Sequence, residues 1–583
     1  MSTPTSFTPE TPLFAILADP RGHDVVAGAI PHLIGSANLH TLHGYPIGLI
    51  ADTEEGLGDA ARKRLLADIA AIDLSQPAPV AAAEEYVAPR DDYDNAARGS
   101  ASWSATREVA TFGRFELTLE GPSHGNPFVD VVLDVQVDGP GVSARVPGFY
   151  DGDGIYRARY MPEAPGSFRF ATISNAASLD GITGSFEAGA AESHGPVRVA
   201  DQFHFAYADG TRYRPVGTTS YVWTHQGDEL EETTLASLEA ASFTKMRMCV
   251  FPKSYLFNEN EPSLFPYVGD LASGFDFRRF SPEYWAHLEK RIEQLAALGI
   301  EADLILYHGY DRWGFATMDP VSDDRYLRYV TARLASFANV WWSLANEYDL
   351  LFEKTESDWE RFAQIVTAGD PNGHLLSIHN CRDFYNHSRP WVTHASIQRQ
   401  DIYKTAETTN EWREAWGKPV VIDECAYEGN IDQGWGNISG EEMTRRAWEG
   451  AVRGGYVGHG ETYVDPDDIL WWAKGGRLHG TSAARLGFLD RIAAEAPGGV
   501  LEPIQVDWDV PRAGVEGEHL LYYFGFNQPT YRRFVTDPAT AWEVDIIDTW
   551  NMTVETLPGT YAGRFRIELP GRQFIAVRLR AVA

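Results

Sequence analysis

Length, composition and charge already exclude several classes of function. The chain has 583 residues, too many for one hydrophobic core, so we expect about two to four domains. Its formal net charge of −33 opposes binding to nucleic acid or to an anionic membrane. The sequence contains no run of about 18 apolar residues, so no membrane span is predicted. The 3 cysteines are scattered, which argues against a disulfide framework or a thiolate zinc site.

Residues 1–75 are predicted to form a helical N-terminal segment. Apolar residues recur at helical spacing in 25–34 and in 61–72. The segment is too short to bury a large core of its own, so we expect it to pack on another domain or on a second subunit, which leaves a homo-oligomer open. The polar residues 1–10 lack the basic and apolar regions of a secretion signal, which predicts a cytoplasmic protein.

A change of hydrophobic period marks the next domain. Residues 76–104 are rich in alanine, proline and acidic residues and are predicted to be a surface linker. In residues 105–199 the period becomes two, as in Phe115–Leu119 and Tyr156–Tyr160, with glycine and proline between the runs. This pattern predicts a small antiparallel β-sandwich.

Strands and helices alternate through residues 200–498, which predicts a (β/α)8 TIM barrel, an α/β fold. A doubly wound sheet is the alternative, but no glycine-rich phosphate loop follows the first predicted strand, which argues against it. The β pattern returns in residues 499–583, which are predicted to form a C-terminal β-sandwich. The predicted barrel strands are Arg214–Thr218, Lys245–Phe251, Ala302–Tyr307, Val340–Ala345, Leu375–His379, Val392–Ile397, Pro419–Asp423 and Tyr456–Gly460.

Two glutamates follow predicted strands at the end where a TIM barrel carries its active site. The fourth strand runs into Asn346 and Glu347, and the seventh runs into Glu424. Cleavage of a glycosidic bond needs two carboxyl groups that flank the bond, and a separation of about 5–5.5 Å lets one attack the anomeric carbon while the other protonates the leaving oxygen. The two glutamates therefore predict a retaining glycoside hydrolase.

This arrangement resembles the large clan A of (β/α)8 retaining glycosidases, in which an Asn-Glu pair ends strand four and a Glu ends strand seven. The resemblance implies that Glu347 is the acid/base and Glu424 the nucleophile. It also implies that Asn346 binds the sugar 2-hydroxyl and that Arg247, on strand two, supports the nucleophile. No cofactor is expected for this chemistry.

Two loops are similar to a narrower group of relatives. Leu306–Phe315 follows the third strand, while Gly458–Tyr463 and Asp468–Trp472 follow the eighth. They resemble bacterial proteins classed as glycosidases that carry an N-terminal β-sandwich and a C-terminal β domain. The likeness covers about residues 105–583, and it does not extend to the sugar, because these relatives differ widely in sugar preference.

Further polar and aromatic residues near the strand ends are candidates for binding a carbohydrate. The tyrosine that many clan members place near strand six is not evident, and His394 and Gln398 occupy that region, with Tyr427 or Tyr463 as alternatives from neighbouring loops. The predicted substrate-binding residues are Asn346, Arg247, His308, Asp311, Arg312, Trp313, His379, His394, Gln398, Trp435, Glu461 and Trp471.

Two other functions stay open. His308, His379, His394 and His459 fall near strand ends, which would suit a metal-dependent hydrolase, but no His-x-His or His-Glu-x-x-His motif is present and we expect no metal. The second alternative function is that of a non-catalytic carbohydrate-binding protein with the same fold, and the presence of both glutamates argues against it. We favour a glycosidase that acts from the end of a small oligosaccharide or on a glycoside.

Overall fold

The computed structural model describes residues 6–17, 19–34, 39–42, 45–54, 56–76, 93–399, 401, 404–466 and 468–582. Most of the predicted linker, residues 77–92, lies outside them. A search of the described helices found none with the length and apolar character needed to cross a membrane.

Short helices make up the N-terminal segment and share a small apolar core. Leu13, Val26 and Ile47 are fully buried in it. Phe352, from the loop after the fourth barrel strand, packs against the same core, so the segment contacts the barrel as expected. The helices are Leu13–Leu17, Pro20–Ala29, Pro31–Ile34, Leu39–Leu42, Ile47–Thr53 and Asp59–Ala70.

An eight-stranded sheet follows, with alternate side chains buried along its strands. The predicted end of the linker at residue 104 is wrong, because Ser102–Ala105 pairs antiparallel with Phe115–Glu120. This first strand has only four residues and is mostly exposed, so its sequence alone did not mark it as part of the sheet. The strands are Ser102–Ala105, Glu108–Ala110, Phe115–Glu120, Leu133–Gly139, Val142–Tyr150, Ile155–Tyr160, Gly166–Ser174 and Thr183–Gly189, with a short helix at Pro127–Asp130.

Parallel strands form a closed, TIM-barrel-like ring. The first five strands form one sheet, in which each strand pairs with the next along the chain, and the last three strands form a second sheet in the same way. The N–H of Thr393 bonds to the carbonyl of Leu376 at 2.9 Å and joins the two sets, and the N–H of His459 bonds to the carbonyl of Gly217 at 2.8 Å and closes the ring. An open doubly wound sheet lacks such closure. The strands are Gly217–Thr219, Lys245–Cys249, Glu301–His308, Val340–Asn346, Leu376–Ser377, Ala395–Gln398, Val420–Glu424 and Tyr456–Val457.

Helices cover the outside of the ring after most strands. The fifth strand is the exception, because residues 378–394 contain no helix. Proline at the first helical position and Asp319 as N-cap fix the start of the helix after the third strand. The main helices are Asp228–Ala240, Pro282–Ala297, Pro320–Leu334, Glu356–Gly369, Thr409–Trp416, Gly440–Ala451 and Ala483–Ala494, with a short one at Trp471–Lys474.

Smaller sheets lie beside the barrel. Phe205, from a three-stranded sheet, packs 5.3 Å from the ring of Trp341 near the start of the fourth barrel strand. The C-terminal sheet shares a core with the barrel helices, through Trp448 and Leu521. The strands are Val197–Ala200, His204–Tyr207 and Arg212–Tyr213; Tyr267–Asp270 and Gly274–Phe280; Glu428–Gly429 and Glu461–Thr462; Val464–Asp465 and Asp468–Ile469; and, at the C-terminus, Pro503–Asp507, Val510–Val515, His519–Tyr523, Tyr531–Val535, Trp542–Asp548, Thr553–Thr556, Arg564–Glu568 and Ile575–Ala581.

A buried charge network fills the barrel beneath the strand ends. Nζ of Lys245 lies 2.6 Å from Oδ2 of Asp303 and 2.7 Å from Oδ1 of Asp423, and Arg247 donates to Asp303 at 3.2 Å. All four side chains are 2% exposed or less. Because each charge has an opposite partner, the network can remain ionised out of contact with water.

Candidate active site

Glu347 and Glu424 lie at the same end of the barrel. Glu424 is the last residue of the seventh strand, and Glu347 directly follows the fourth. Glu347 is 6% exposed and Glu424 5% exposed. The φ angle of Glu347 is 52°, a left-handed conformation that non-glycine residues rarely adopt and that is concentrated at functional sites. The structure therefore brings the two predicted carboxylates together at the barrel mouth.

Two polar groups converge on one oxygen of Glu424. The hydroxyl of Tyr221 donates a hydrogen bond to Oε1, and Nε2 of His379 lies 3.4 Å from the same atom. Burial raises the pKa of Glu424, but the contacts with His379 and Tyr221 and the charge of Arg247 outweigh it and lower the pKa to about 2. Glu424 is therefore ionised at neutral pH, the state in which a carboxylate can act as a nucleophile.

Glu347 has the opposite environment. Burial and the negative charge of Glu424 raise the pKa of Glu347, and they outweigh Lys253 and Tyr310, which favour its ionised form. Tyr310 donates a 2.5 Å hydrogen bond to Oε2 of Glu347, and Nδ2 of Asn346 lies 3.3 Å from that oxygen. The environment thus favours a protonated Glu347 beside an ionised Glu424.

Asn346 connects the two glutamates. Its Oδ1 accepts a hydrogen bond from Nη2 of Arg247 at 3.2 Å and lies 3.3 Å from the hydroxyl of Tyr221. Because Oδ1 faces the guanidinium group, Nδ2 faces Glu347. Arg247 in turn bonds to Asp303, which ties the site to the buried charge network.

Aromatic side chains form one wall of the site. The ring of Trp472 lies 5.5 Å from that of Tyr221, 5.0 Å from Trp435 and 5.8 Å from Tyr255. Tyr427 packs against the same tryptophans, at 6.0 Å from Trp435. A wall of this kind can stack on the apolar face of a sugar ring.

Three family models match separate parts of the chain. Residues 201–483, which contain the barrel strands and both glutamates, match a family described as an apiosidase-like catalytic domain. Residues 108–175 and 508–580 match domains of unknown function, DUF5060 and DUF5605. No curated protein matches the chain.

Similarity to a solved structure shows the family to which the chain belongs. A protein from Bacteroides vulgatus that is classed as a glycoside hydrolase is 38% identical, with a TM-score of 0.78 over 82% of this chain and 100% of its own. The chain belongs to the glycoside hydrolases. A family 5 glycoside hydrolase from the same organism shares the fold, with a TM-score of 0.52 and 15% identity over 66% of this chain and 94% of its own. The predicted resemblance to clan A glycosidases, and the prediction of an enzyme, are confirmed.

In this glycoside hydrolase, His394 and Trp471 lie away from the glutamates. His394 directly precedes the sixth strand and packs against Trp341 and Phe205, so it sits at the opposite end of the barrel from Glu424. Trp471 is 2% exposed and its Nε1 donates to Thr218 inside the barrel core. Both residues therefore have structural partners away from the glutamates, and it is Trp472 that packs against Tyr221 at the site.

The loop after the third strand uses its polar groups internally. Asp311 accepts hydrogen bonds from the N–H groups of Trp313 and Ala316, both at 2.8 Å, and so shapes the loop. Trp313 is 6% exposed and bonds through Nε1 to Glu261, which also pairs with Arg312 at 2.5 Å. These contacts give the three predicted residues structural partners on the outer side of the loop.

His308 and Gln398 are buried near the strand ends, and their hydrogen bonds within the described residues go to groups other than the two glutamates. Nε2 of His308 lies 3.3 Å from the carbonyl of Phe251, and burial lowers the pKa of His308 to about 3. Gln398 donates through Nε2 to the carbonyl of Cys381 at 3.2 Å, while its buried Oε1 has no hydrogen-bond partner among the residues that the structure describes. That oxygen is the part of Gln398 still available to a ligand.

Two clusters in the described part of the chain have the residue types of a metal site: Asp228 with Glu231 and His287, and Glu428 with His459 and Glu461. In the first, Arg291 donates to both carboxylates at 2.6 Å. In the second, Glu428 accepts hydrogen bonds from Thr481 and Ser482, and Glu461 accepts from the N–H groups of His479 and Gly480. Because these donors already occupy the carboxylates, both clusters fit a structural role.

The sequence patterns missed four residues that contact the glutamates or act on them electrostatically. Tyr221 and Tyr310 donate to Glu424 and Glu347, and Lys253 and Cys381 lie close enough to Glu347 to alter or respond to its charge. All four follow barrel strands: the first, third, second and fifth. Reading every residue within a few positions of each strand end would have included them.

Proposed function

We propose that this glycoside hydrolase is a retaining enzyme that works by double displacement. An oxygen of Glu424 attacks the anomeric carbon while Glu347 donates its proton to the glycosidic oxygen, which leaves with the bonding electrons. A covalent glycosyl-enzyme ester forms. Glu347, now ionised, removes a proton from water, and the resulting attack on the anomeric carbon releases the sugar and restores Glu424.

The observation that supports this proposal is the difference between the two carboxyl environments. Glu424 has the Tyr221 hydroxyl and His379 at one oxygen, whereas Glu347 is buried beside the negative charge of Glu424. Two neighbouring carboxyl groups whose pKa values are pushed apart are the expected acid and nucleophile of a glycosidase.

Asn346 and Arg247 are proposed to support this reaction. Nδ2 of Asn346 lies beside Glu347, where it could donate to the sugar 2-hydroxyl, and Arg247 holds the amide in that orientation. The positive charge of Arg247 also favours the ionised form of Glu424. Hydrogen bonds to the 2-hydroxyl that strengthen in the transition state supply part of the catalysis in such enzymes.

The substrate is proposed to be a small oligosaccharide or a glycoside, cleaved from its end. The family model over residues 201–483 is named for apiosidase-like proteins, so an apioside belongs among the first substrates to test. The aromatic wall of Tyr427, Trp435 and Trp472 is proposed to stack on the sugar. The predicted cytoplasmic location also remains a prediction, which fractionation of the source cells would test.

The direct experiment compares wild type with Glu424→Ala on a panel of aryl glycosides that includes an apioside and disaccharide glycosides. Wild type should cleave one of them, and Glu424→Ala should lose activity by at least about 10³-fold. Added azide should then restore cleavage in the variant and yield a glycosyl azide. Glu353→Ala, which changes an exposed glutamate after the same strand as Glu347, is the matched control and should remain active.

Each other outcome has a definite meaning. Full activity of Glu424→Ala would show that Glu424 is not the nucleophile. If NMR of the released sugar shows that the anomeric configuration is inverted, double displacement is excluded. Loss of wild-type activity on treatment with a chelator, with recovery on adding metal, would favour the metal-dependent alternative.

A further inference from the structure

Lys253 lies in the loop that follows the second barrel strand, Lys245–Cys249, and the charge of its ammonium group interacts with both glutamates. Nζ lies 3.6 Å from the ring centre of Tyr221 and 4.1 Å from that of Tyr310. Tyr221 donates to Glu424 and Tyr310 donates to Glu347. The cation is thus held between the two tyrosines that position the carboxylates.

The remaining neighbours of this ammonium group are aromatic as well. Nζ lies 4.9 Å from the ring centre of Trp472 and 5.8 Å from that of Tyr255, and the residue is 4% exposed. In the described part of the chain Lys253 forms a hydrogen bond through its carbonyl, which accepts from Asn258, and none through Nζ. Ring faces attract a cation, but they do not replace the three hydrogen bonds that an ammonium group makes in water.

Other buried lysines of this protein do have oxygen acceptors. Lys245 bonds to Asp303 at 2.6 Å and to Asp423 at 2.7 Å, and Lys354 bonds to Asp323 and to the carbonyl of Met318. A buried charge without such partners is costly to the folded protein. Lys253 differs from these lysines in its position at the site, where a ligand can supply the missing acceptor.

The loop holds Lys253 in place rather than leaving it free to move away. The N–H of Ser254 bonds to the carbonyl of Tyr310 at 2.8 Å, which joins this loop to the one after the third strand. Nδ2 of Asn258 bonds to the carbonyl of Lys253 at 2.6 Å. A lysine whose backbone is fixed in this way, and whose ammonium group lies between aromatic rings, can contribute to recognition without a large loss of conformational entropy on binding.

We infer that Lys253 is a specificity-determining residue whose ammonium group donates hydrogen bonds to an oxygen of the sugar bound next to Glu424. The inference rests on the proposed function for the identity of the ligand as a sugar. The accepting oxygen belongs either to a hydroxyl group or to the carboxylate of a uronic acid. Both accept hydrogen bonds from an ammonium group, and a carboxylate adds an ion pair.

The test begins with the glycoside that wild type cleaves and compares Lys253→Met with Lys290→Met, which removes a partly exposed lysine from a barrel helix. Lys253→Met should lower kcat/KM by about 10- to 150-fold, the range for a hydrogen bond to a charged group, and Lys290→Met should leave it unchanged. Unchanged kcat/KM for Lys253→Met would overturn the inference.

Deoxy glycosides then separate direct contact from an indirect effect on Glu347. If Lys253 contacts one sugar oxygen, the loss caused by Lys253→Met should disappear for the glycoside that lacks this oxygen and persist for the others. An electrostatic or structural role would lower kcat/KM equally for every deoxy glycoside, and that result would overturn the inference. Circular dichroism of the variant shows whether it is folded.

A uronide and its neutral counterpart distinguish the two sources of the oxygen. Preference of wild type for the uronide, lost in Lys253→Met, identifies a carboxylate, whereas an equal loss with the neutral glycoside identifies a hydroxyl. If no glycoside is cleaved, the proposed function fails separately, and calorimetric titration with free neutral sugars and uronic acids tests Lys253. Binding by wild type but not by Lys253→Met would still support the inference, while equal binding or no binding at all would overturn it.

Discussion

The hydroxyl of Tyr310 donates a 2.5 Å hydrogen bond to Oε2 of Glu347, the carboxyl group that must carry a proton at the start of the proposed reaction. A donor at this position favours the ionised form, so Tyr310 opposes the burial and the Glu424 charge that raise the pKa of Glu347. Tyr310 therefore limits how strongly Glu347 holds its proton and prepares it for the second step, in which it acts as a base.

Tyr310→Phe is expected to move the basic limb of the pH profile of kcat/KM to higher pH. Removal of the donor raises the pKa of Glu347 further, so the protonated acid persists at higher pH. Tyr255→Phe is the control, because it removes a hydroxyl from the same aromatic wall, whereas the tyrosine that donates to Glu347 is Tyr310. A basic limb that stays in place in Tyr310→Phe would mean that another group sets it.

Tyr221→Phe should affect the acidic limb. The Tyr221 hydroxyl helps to lower the pKa of Glu424 to about 2, and its loss should raise that pKa, so that the nucleophile becomes protonated at a higher pH. Because a hydrogen bond to a charged group is lost, kcat/KM near neutral pH should fall about 10- to 150-fold. An unaltered acidic limb with normal kcat/KM would contradict the assigned contact.

The positions of the two glutamates could be predicted because they depend on local pattern and on a general property of barrels. The apolar run Val420–Ile422 predicts a buried strand, and the carboxyl ends of parallel strands meet at one face. Glu424 and Glu347 therefore had to lie at the same mouth once the strands were counted correctly.

The errors came from register and from contacts distant in sequence. The predicted sixth strand is Val392–Ile397, whereas the observed one begins at Ala395, so His394 precedes the strand instead of lying within it. Trp471 and Trp472 are adjacent, and only the three-dimensional path decides which one faces the site. Nothing local distinguishes Tyr221 among 26 tyrosines, because its contact with Glu424 spans 203 positions.

Lys245→Met should destabilise the barrel strongly. The substitution leaves the buried carboxylates of Asp303 and Asp423 without their shared cation, and removal of one partner from a buried ion pair costs about 3–5 kcal/mol. Arg98→Ala, which breaks a pair with Asp180 whose arginine is 74% exposed, should cost about 1 kcal/mol or less. Urea unfolding followed by tryptophan fluorescence measures both, and equal stability of the two variants would contradict the importance of the network.

Glu461→Gln should alter the pH dependence of stability. Burial raises the pKa of Glu461 from 4.5 to about 7, although the N–H groups of His479 and Gly480 donate to its carboxylate. The folded protein therefore binds a proton here that the unfolded chain releases above pH 4.5, and this contribution to stability is lost as the pH rises through 7. Glutamine does not titrate, and its one carbonyl oxygen can replace only one of the two carboxylate oxygens that accept from His479 and Gly480. The lost hydrogen bond lowers stability by the same amount at every pH, so it does not affect the pH dependence.

The free energy of unfolding of Glu461→Gln, relative to that of wild type, should therefore increase as the pH rises from 5 to 8, by up to about 3 kcal/mol. Glu518→Gln, at an exposed position, should follow wild type at every pH. Denaturant unfolding at matched ionic strength gives the comparison. A constant difference between Glu461→Gln and wild type across this range would show that Glu461 does not titrate there, and that an ionised carboxylate accepts from His479 and Gly480 throughout.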